Sequence, residues 1–142
     1  MRASKSKYGN SKVCIDGISF DSKREGNVYL RLKNLQSRGC ISDLQIHPKW
    51  ELQPKLTETY VKHLKTKDKE CERTVLLPIT YEADFAFYHN GKYVVVDVKI
   101  SKSLLPKEYQ IKKKMMRYVH GITLTEVYAL KDLAQFEIEE QI

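Results

Sequence analysis

Asn90-Gly91 stands between two alternating apolar runs, and no other stretch of the chain constrains its fold as tightly. An Asn-Gly pair accepts both positive φ angles of a type I′ turn, whose twist matches that of two antiparallel strands. The strand before it is expected over residues 74–88, alternating cleanly from Tyr81, and the return strand over residues 92–100. With Asn90-Gly91 as the loop, His89 faces Lys92, Phe87 faces Val94, Asp84 faces Asp97 and Glu82 faces Lys99. Side chains alternate along a strand, so Glu82, Asp84 and Ala86 share a face with Val95, Asp97 and Lys99. Tyr81, Ala83, Phe85 and Phe87 join Val94, Val96 and Val98 on the other face, an apolar surface suited to packing. A bulge would break this register.

The remaining elements follow from local signals. Val13-Cys14-Ile15, Asp16-Gly17 and Ile18-Ser19-Phe20 spell a compact hairpin. Ser22-Lys23-Arg24-Glu25 opens a helix with a capping-box pattern, Val28, Tyr29, Leu32 and Leu35 keep helical spacing, and Gly39 stops it. Residues 40–52 suggest a short extended stretch, and residues 54–72 a loop or exposed hairpin. A basic helix is expected from Pro106 to about Val119, ended by Gly121, with a last strand over residues 122–128. The sum is one α+β domain, its sheet mixed but mainly antiparallel and flanked by helices.

Charge limits the partners. The 142-residue chain carries a net +7, and its positive charge lies in two blocks. Residues 1–39 hold nine Lys/Arg against three acids, residues 99–120 seven against one, and the segment between is close to neutral. That pattern fits polyanion binding, or two solvated basic faces. Residues 1–10 read as a flexible basic arm. No apolar run approaches a bilayer span and no leader-like apolar segment follows Met1, so neither a membrane nor secretion is expected. Cys14, Cys40 and Cys71 are too few and too scattered for a disulfide framework or a zinc site, and read as free thiols in a cytoplasm. His47, His63, His89 and His120 show no zinc spacing, and no phosphate-binding glycine loop or serine-hydrolase elbow occurs.

Chemistry concentrates on the hairpin. Opposed Asp84 and Asp97 repel unless a cation compensates, and oxygen ligands from two strands suit Mg²⁺ or Mn²⁺. Lys99, on the same face, could orient a water or stabilise charge on a phosphate. The run Val94-Val95-Val96 suggests a central strand carrying Asp97 into a protected site. Ordinary exposed ion pairs among Glu82, Asp97 and Lys99 are the alternative.

Asp84, a hairpin, then Asp97-Val98-Lys99 resembles the signature of the PD-(D/E)xK nucleases. The chain as a whole resembles a small phage and prophage family of that clan, catalogued as a domain of unknown function. The resembling stretches are Lys7-Tyr8-Gly9-Asn10, Phe20-Asp21-Ser22-Lys23-Arg24-Glu25, Tyr29-Leu30-Arg31-Leu32-Lys33, Gly39-Cys40-Ile41-Ser42-Asp43-Leu44, Ala83-Asp84-Phe85 and Asp97-Val98-Lys99. The resemblance implies a restriction-endonuclease-like core in which Asp84, Asp97 and the Val98 carbonyl hold the metal and Lys99 is catalytic. Glu25 matches an acidic residue that many members bring to the same metal, and its helical face, shared with Tyr29 and Leu32, points it inward; capping its helix is the alternative. Two departures stand out: Gly26 where relatives favour Ala, and Ile100-Ser101 where they favour Gly after the lysine. On the helix that follows, Gln110 matches a position that often reaches the active site. Lys112, Lys113, Lys114 and Arg117, with Lys23 and Arg24 at the first helix, would contact DNA phosphates.

The resulting expectation is a Mg²⁺- or Mn²⁺-dependent DNA endonuclease of a phage or prophage, acting in the bacterial cytoplasm. A chain this small leaves little room for a sequence-reading domain, so branched, junction or flap DNA is the expected substrate, in recombination, replication or packaging. A homodimer would cut two strands together. The alternatives are a non-catalytic nucleic-acid-binding module and a protein adaptor.

Overall fold

The computed structural model describes residues 11–137, so the arm expected at residues 1–10 lies outside the described residues. Strands β1 (Val13–Ile15) and β2 (Ile18–Phe20) pair through Asp16 and Gly17, at φ 54° and 77°. Helix α1 (Lys23–Ser37) follows, and the Ser22 hydroxyl accepts the Glu25 N–H at 3.1 Å, satisfying an amide that the first turn leaves free. Val28, Tyr29, Leu32 and Leu35 form its buried face. Gly26 is buried as well: a Cβ there would come within 2.9 Å of Val13 Cγ2 and 3.0 Å of Ile15 Cδ1. The small residue therefore lets the first hairpin lie against α1, which accounts for the departure from alanine.

The extended stretch over residues 40–52 is two strands, β3 (Ser42–Ile46) and β4 (Lys49–Gln53). His47 and Pro48 part them; His47 takes φ 52°, left-handed and costly for a residue with a Cβ. Residues 54–72 fall in the hairpin alternative, built from β5 (Leu56–His63) and β6 (Asp68–Leu76). The single strand expected over residues 74–88 is three pieces: the end of β6, β7 (Ile79–Glu82) and β8 (Phe85–His89). Pro78, which has no N–H for a ladder, falls in the first interruption, and Ala83-Asp84 is the second. The return strand is β9 (Lys92–Val98). Helix α2 (Lys107–His120) ends on Gly121 at φ 70°, and β10 (Thr125–Val127) is the last strand. Short 3-10 turns cover Lys102–Leu104 and Leu130–Phe136.

The Asn90-Gly91 register is as expected over the paired length, from His89↔Lys92 to Phe85↔Val96. A four-stranded sheet runs in the order β10-β9-β8-β3, with β10 parallel to β9 and the other neighbours antiparallel. Strand β9 is thus internal, and Val95 and Val96 are fully buried. One face carries Phe85, Phe87 and Val96 against α1. The other carries Ala86 and Val95 against Tyr109 and Met116 of α2. Each buried phenylalanine contributes on the order of 2–3 kcal/mol.

Three expectations at and beyond the break are corrected. Asp84 does not stand opposite Asp97: the ladder ends at Phe85↔Val96, and Asp84 accepts the Val98 N–H instead. Tyr81 and Ala83 pack with Ala86 and Val95, not with Phe85 and Phe87, because the interruption at Ala83-Asp84 shifts the alternation by one face. Glu82 pairs with Lys49 across β4 and β7 and is not opposite Lys99. The break is itself bonded: His47 N–H donates to the Asp84 carbonyl and Ala83 N–H to the Pro48 carbonyl, both at 3.0 Å. Among the described residues no helix is long and apolar enough to cross a membrane, and Cys14, Cys40 and Cys71 are free thiols.

Candidate active site

Four elements converge where the β8–β9 hairpin opens. Asp84 sits at the break before β8, and its Oδ2 accepts the Val98 N–H at 2.7 Å across the strands. Asp97, on β9, is 3% exposed, and among the described residues its Oδ2 has no hydrogen-bond partner. Glu25, buried on the first turn of α1, reaches the same place. Its Oε1 lies 2.9 Å from His47 Nε2, so it faces the site; its N–H, not its carboxylate, takes part in the cap. Ligand atoms of Glu25, His47 and Asp84 all lie within 4.8 Å of one another. Ligands at about 2.1 Å from one cation stand at most about 4.2 Å apart, so binding one calls for a set of about this compactness.

The electrostatics are those of crowded acids. Burial pushes the Asp84 carboxyl up to about 7, helped by the Glu25 charge and opposed by the Val98 N–H, Lys99 and His47. Burial likewise pushes Asp97 up to about 6; Lys99 and the Asp84 N–H pull it down, while Glu126 and Glu25 add to the rise. Lys99 Nζ lies 3.7 Å from the centroid of the Tyr109 ring, a cation–π contact that holds the ammonium beside the acids. The Tyr109 hydroxyl donates to Glu126 Oε2 at 2.6 Å, and Glu126 also accepts from Tyr128 and Lys113. Burial works against the Glu126 charge, but these three donors outweigh it and hold its carboxyl below the usual range.

Two clefts flank Lys99. One of about 300 Å³ is lined by Glu25, Asp84, Val98 and Lys99, with Arg24 and the apolar Ile100, Leu104 and Leu105 at its border. The other, of about 440 Å³, is lined by Asp97, Lys99, Tyr109, Lys112, Lys49 and Glu82 among others. The Ile100-Ser101 departure therefore gives the first cleft a hydrophobic lip.

The structure brings together Glu25, Asp84, Val98 and Lys99 around the first cleft and places Asp97 in the second, with Lys99 common to both. The expected DNA contacts divide. Arg24 lines the first cleft, its guanidinium donating to the Tyr128 carbonyl at 2.7 Å, and Lys23 is exposed on the same turn of α1. Lys112 lines the second cleft and pairs with Glu108 at 2.9 Å. Lys113 is held by Glu126 at 3.1 Å. Lys113, Lys114 and Arg117 line a separate cleft of about 910 Å³ with Gln110, whose amide donates to the Leu105 carbonyl at 3.0 Å. Sequence reasoning missed His47, Tyr109 and Glu126. His47 has one signal in the sequence, the proline after it that interrupts an extended stretch.

Fold and site together define an α+β domain with a buried acidic cluster and one lysine at the mouth of a central hairpin. A family model described as "Protein of unknown function (DUF1064)" matches residues 5–133, and the chain belongs to that family. No curated protein and no solved structure matches it.

Proposed function

We propose that the chain is a divalent-metal-dependent DNA endonuclease with a restriction-endonuclease-like core of the PD-(D/E)xK type. The observation that carries the reading is Asp97 Oδ2, buried with no hydrogen-bond partner among the described residues, in a carboxyl that feels the Glu25 charge and the Asp84 N–H of the neighbouring cluster. Burying an unpaired carboxylate is costly, and a ligated cation is a common compensation. The donors fit the group: oxygen atoms suit Mg²⁺, and one imidazole among them suits Mn²⁺ as well. Glu25, Asp84 and Asp97 would hold the ion, with the Val98 carbonyl and His47 Nε2 as further donors. When bound, the ion supplies Lewis-acid polarisation of a phosphate and a more acidic water.

The chain's own residues do the rest. Lys99, held over Tyr109 between the two clefts, offers positive charge and N–H donors to a non-bridging phosphate oxygen. Arg24, Lys112 and Lys49 border the same clefts and can position the backbone on either side. Hydrolysis forms one bond from water oxygen to phosphorus, breaks one P–O ester bond and returns a proton to the leaving oxygen. Branched, junction or flap DNA in a phage pathway, cut by a homodimer, completes the proposal.

The test is incubation of branched and linear DNA with Mg²⁺ or Mn²⁺. Wild type is expected to cleave, and Asp97→Ala and Lys99→Ala each to slow cleavage by at least about 10²-fold. Equal rates in all three proteins would falsify the assignment. Salt-sensitive binding without cleavage would leave the non-catalytic module.

A further inference from the structure

Strands β5 and β6 form a two-stranded ribbon that, among the described residues, packs substantially against no other element. Nearly every residue of it is exposed. A lone two-stranded ribbon is marginally stable in water, so its length calls for a second surface. The pairing register shows which chemistry that surface has. Glu58 opposes Arg73, Tyr60 opposes Cys71 and Lys62 opposes Lys69, all on one face. On the other face Thr59 opposes Glu72, Val61 opposes Glu70 and His63 opposes Asp68.

Charge is thereby sorted by face. Arg73 is bonded to Glu58 and lies 5.4 Å over the Tyr60 ring, which neutralises the pair nearest the root. Lys62 and Lys69 remain, directly opposed and without an ion-pair partner among the described residues. Like charges facing each other across strands are destabilising. Glu70 and Glu72, which could have relieved them, stand on the opposite face. An anionic partner laid along the lysine face removes that repulsion.

The ribbon extends the β4–β7 ladder, whose far end at Lys49 and Glu82 lies at the active-site cleft. Two-residue connections at 54–55 and 77–78 join it to β4 and β7, whose Lys49, Thr80 and Glu82 line the cleft of Asp97 and Lys99. Eight residues of β5 reach about 26 Å, or roughly eight base-pair steps of duplex. A two-stranded ribbon is also narrow enough for the major groove.

We propose that the β5–β6 ribbon is an arm that lies along duplex DNA flanking the cleaved phosphate and grips its backbone through Lys62 and Lys69. This rests on the nuclease reading and adds a contact outside the metal site. Equilibrium binding, with Ca²⁺ replacing the catalytic ion, is measured against salt for duplexes of about 12 and 30 base pairs. Lys62→Glu/Lys69→Glu preserves a like-charged pair, so the ribbon keeps its internal repulsion; a thermal melt checks the fold. On the long duplex this variant is expected to lose at least about tenfold in affinity and about 2 from the log–log salt slope. Glu70→Gln/Glu72→Gln is expected to bind at least as well as wild type. The lysine effect should shrink on the short duplex, which extends only about 20 Å to either side of a central phosphate and is overreached by the arm.

Unchanged affinity and slope in the lysine variant, while wild type binds and cleaves, would overturn the arm alone. A change in self-association with DNA affinity unaltered would assign the ribbon to a second copy and overturn it equally. Wild type that binds no duplex at low salt would remove this proposal together with the nuclease reading.

Discussion

Asp97 pairs the most protected position in the site with the least compensated charge, and its protonation has a defined sign. Its carboxyl is raised by burial from 3.8 to about 6, so the folded state binds this proton more tightly than the unfolded chain does. The stability this adds is fully present below pH 3.8 and is lost as pH rises through about 6. At pH 8 without divalent ions, Asp97→Asn should therefore be more stable than wild type, by on the order of 3 kcal/mol. The gain should shrink on approach to pH 4, as thermal melts across pH would show. His47 tests the cluster from the other side. His47→Ala should weaken Mn²⁺ binding by roughly 10–100-fold in a calorimetric titration. Asp97 and Lys99 were legible because one turn and simple alternation place them; the position of Asp84 was not, since the ladder ends at Phe85↔Val96 and Asp84 stands in the break, bonded to the Val98 N–H. His47 was not: it lies 22 residues from Glu25 along the chain, and only the packing of α1 beside the β3–β4 kink joins them.

At the scale of elements, caps and turns decide where structure begins and long-range pairing decides where it breaks. Ser22 holds the start of α1 through one hydrogen bond to the Glu25 amide. Ser22→Ala should cost about 1 kcal/mol by denaturant titration. The β5–β6 ribbon gives the opposite expectation. Because its strands contact chiefly each other, replacing residues 56–76 with a short turn should shift the melting temperature of the remaining fold by only a few degrees. A loss of the cooperative transition in that variant would show that the ribbon supports the fold. The first hairpin, both α-helices and the β8–β9 register were legible, since each depends on neighbours within a few residues. The break at Ala83-Asp84 was not. It is imposed by bonds to His47 and Pro48, and it sends Tyr81 to the α2 side of the sheet.

Across the whole molecule, the acids and the positive charge are complementary parts of one expectation. Crowded carboxylates oppose ionisation, Asp84 at about 7 and Asp97 at about 6, and a cation must displace those protons to bind. Mn²⁺ at about 100 times its dissociation constant should stabilise the protein by about 2.7 kcal/mol. The stabilisation should be larger at pH 8 than at pH 5.5 for the same ion concentration, measured by thermal shift. An equal shift at both values would count against ligation by these two acids. The net +7 is distributed around this centre unevenly: Arg24, Lys49 and Lys112 border the clefts, while Lys113 is taken by Glu126.

By itself the sequence determined the hairpin register, the helix boundaries, the α+β class and the chemical identity of the three residues Asp84, Asp97 and Lys99. Those depend on turn chemistry, capping and the two periodicities of backbone structure, all of them local. Tertiary structure alone decided that Glu25 meets His47, that His47 joins the site and that Tyr109 seats Lys99. It also decided which lysines of α2 face the clefts. These are matters of which surfaces meet when α1 and α2 close over opposite faces of the sheet. Segments far apart in the chain then share one small volume, through contacts that no short stretch of sequence encodes.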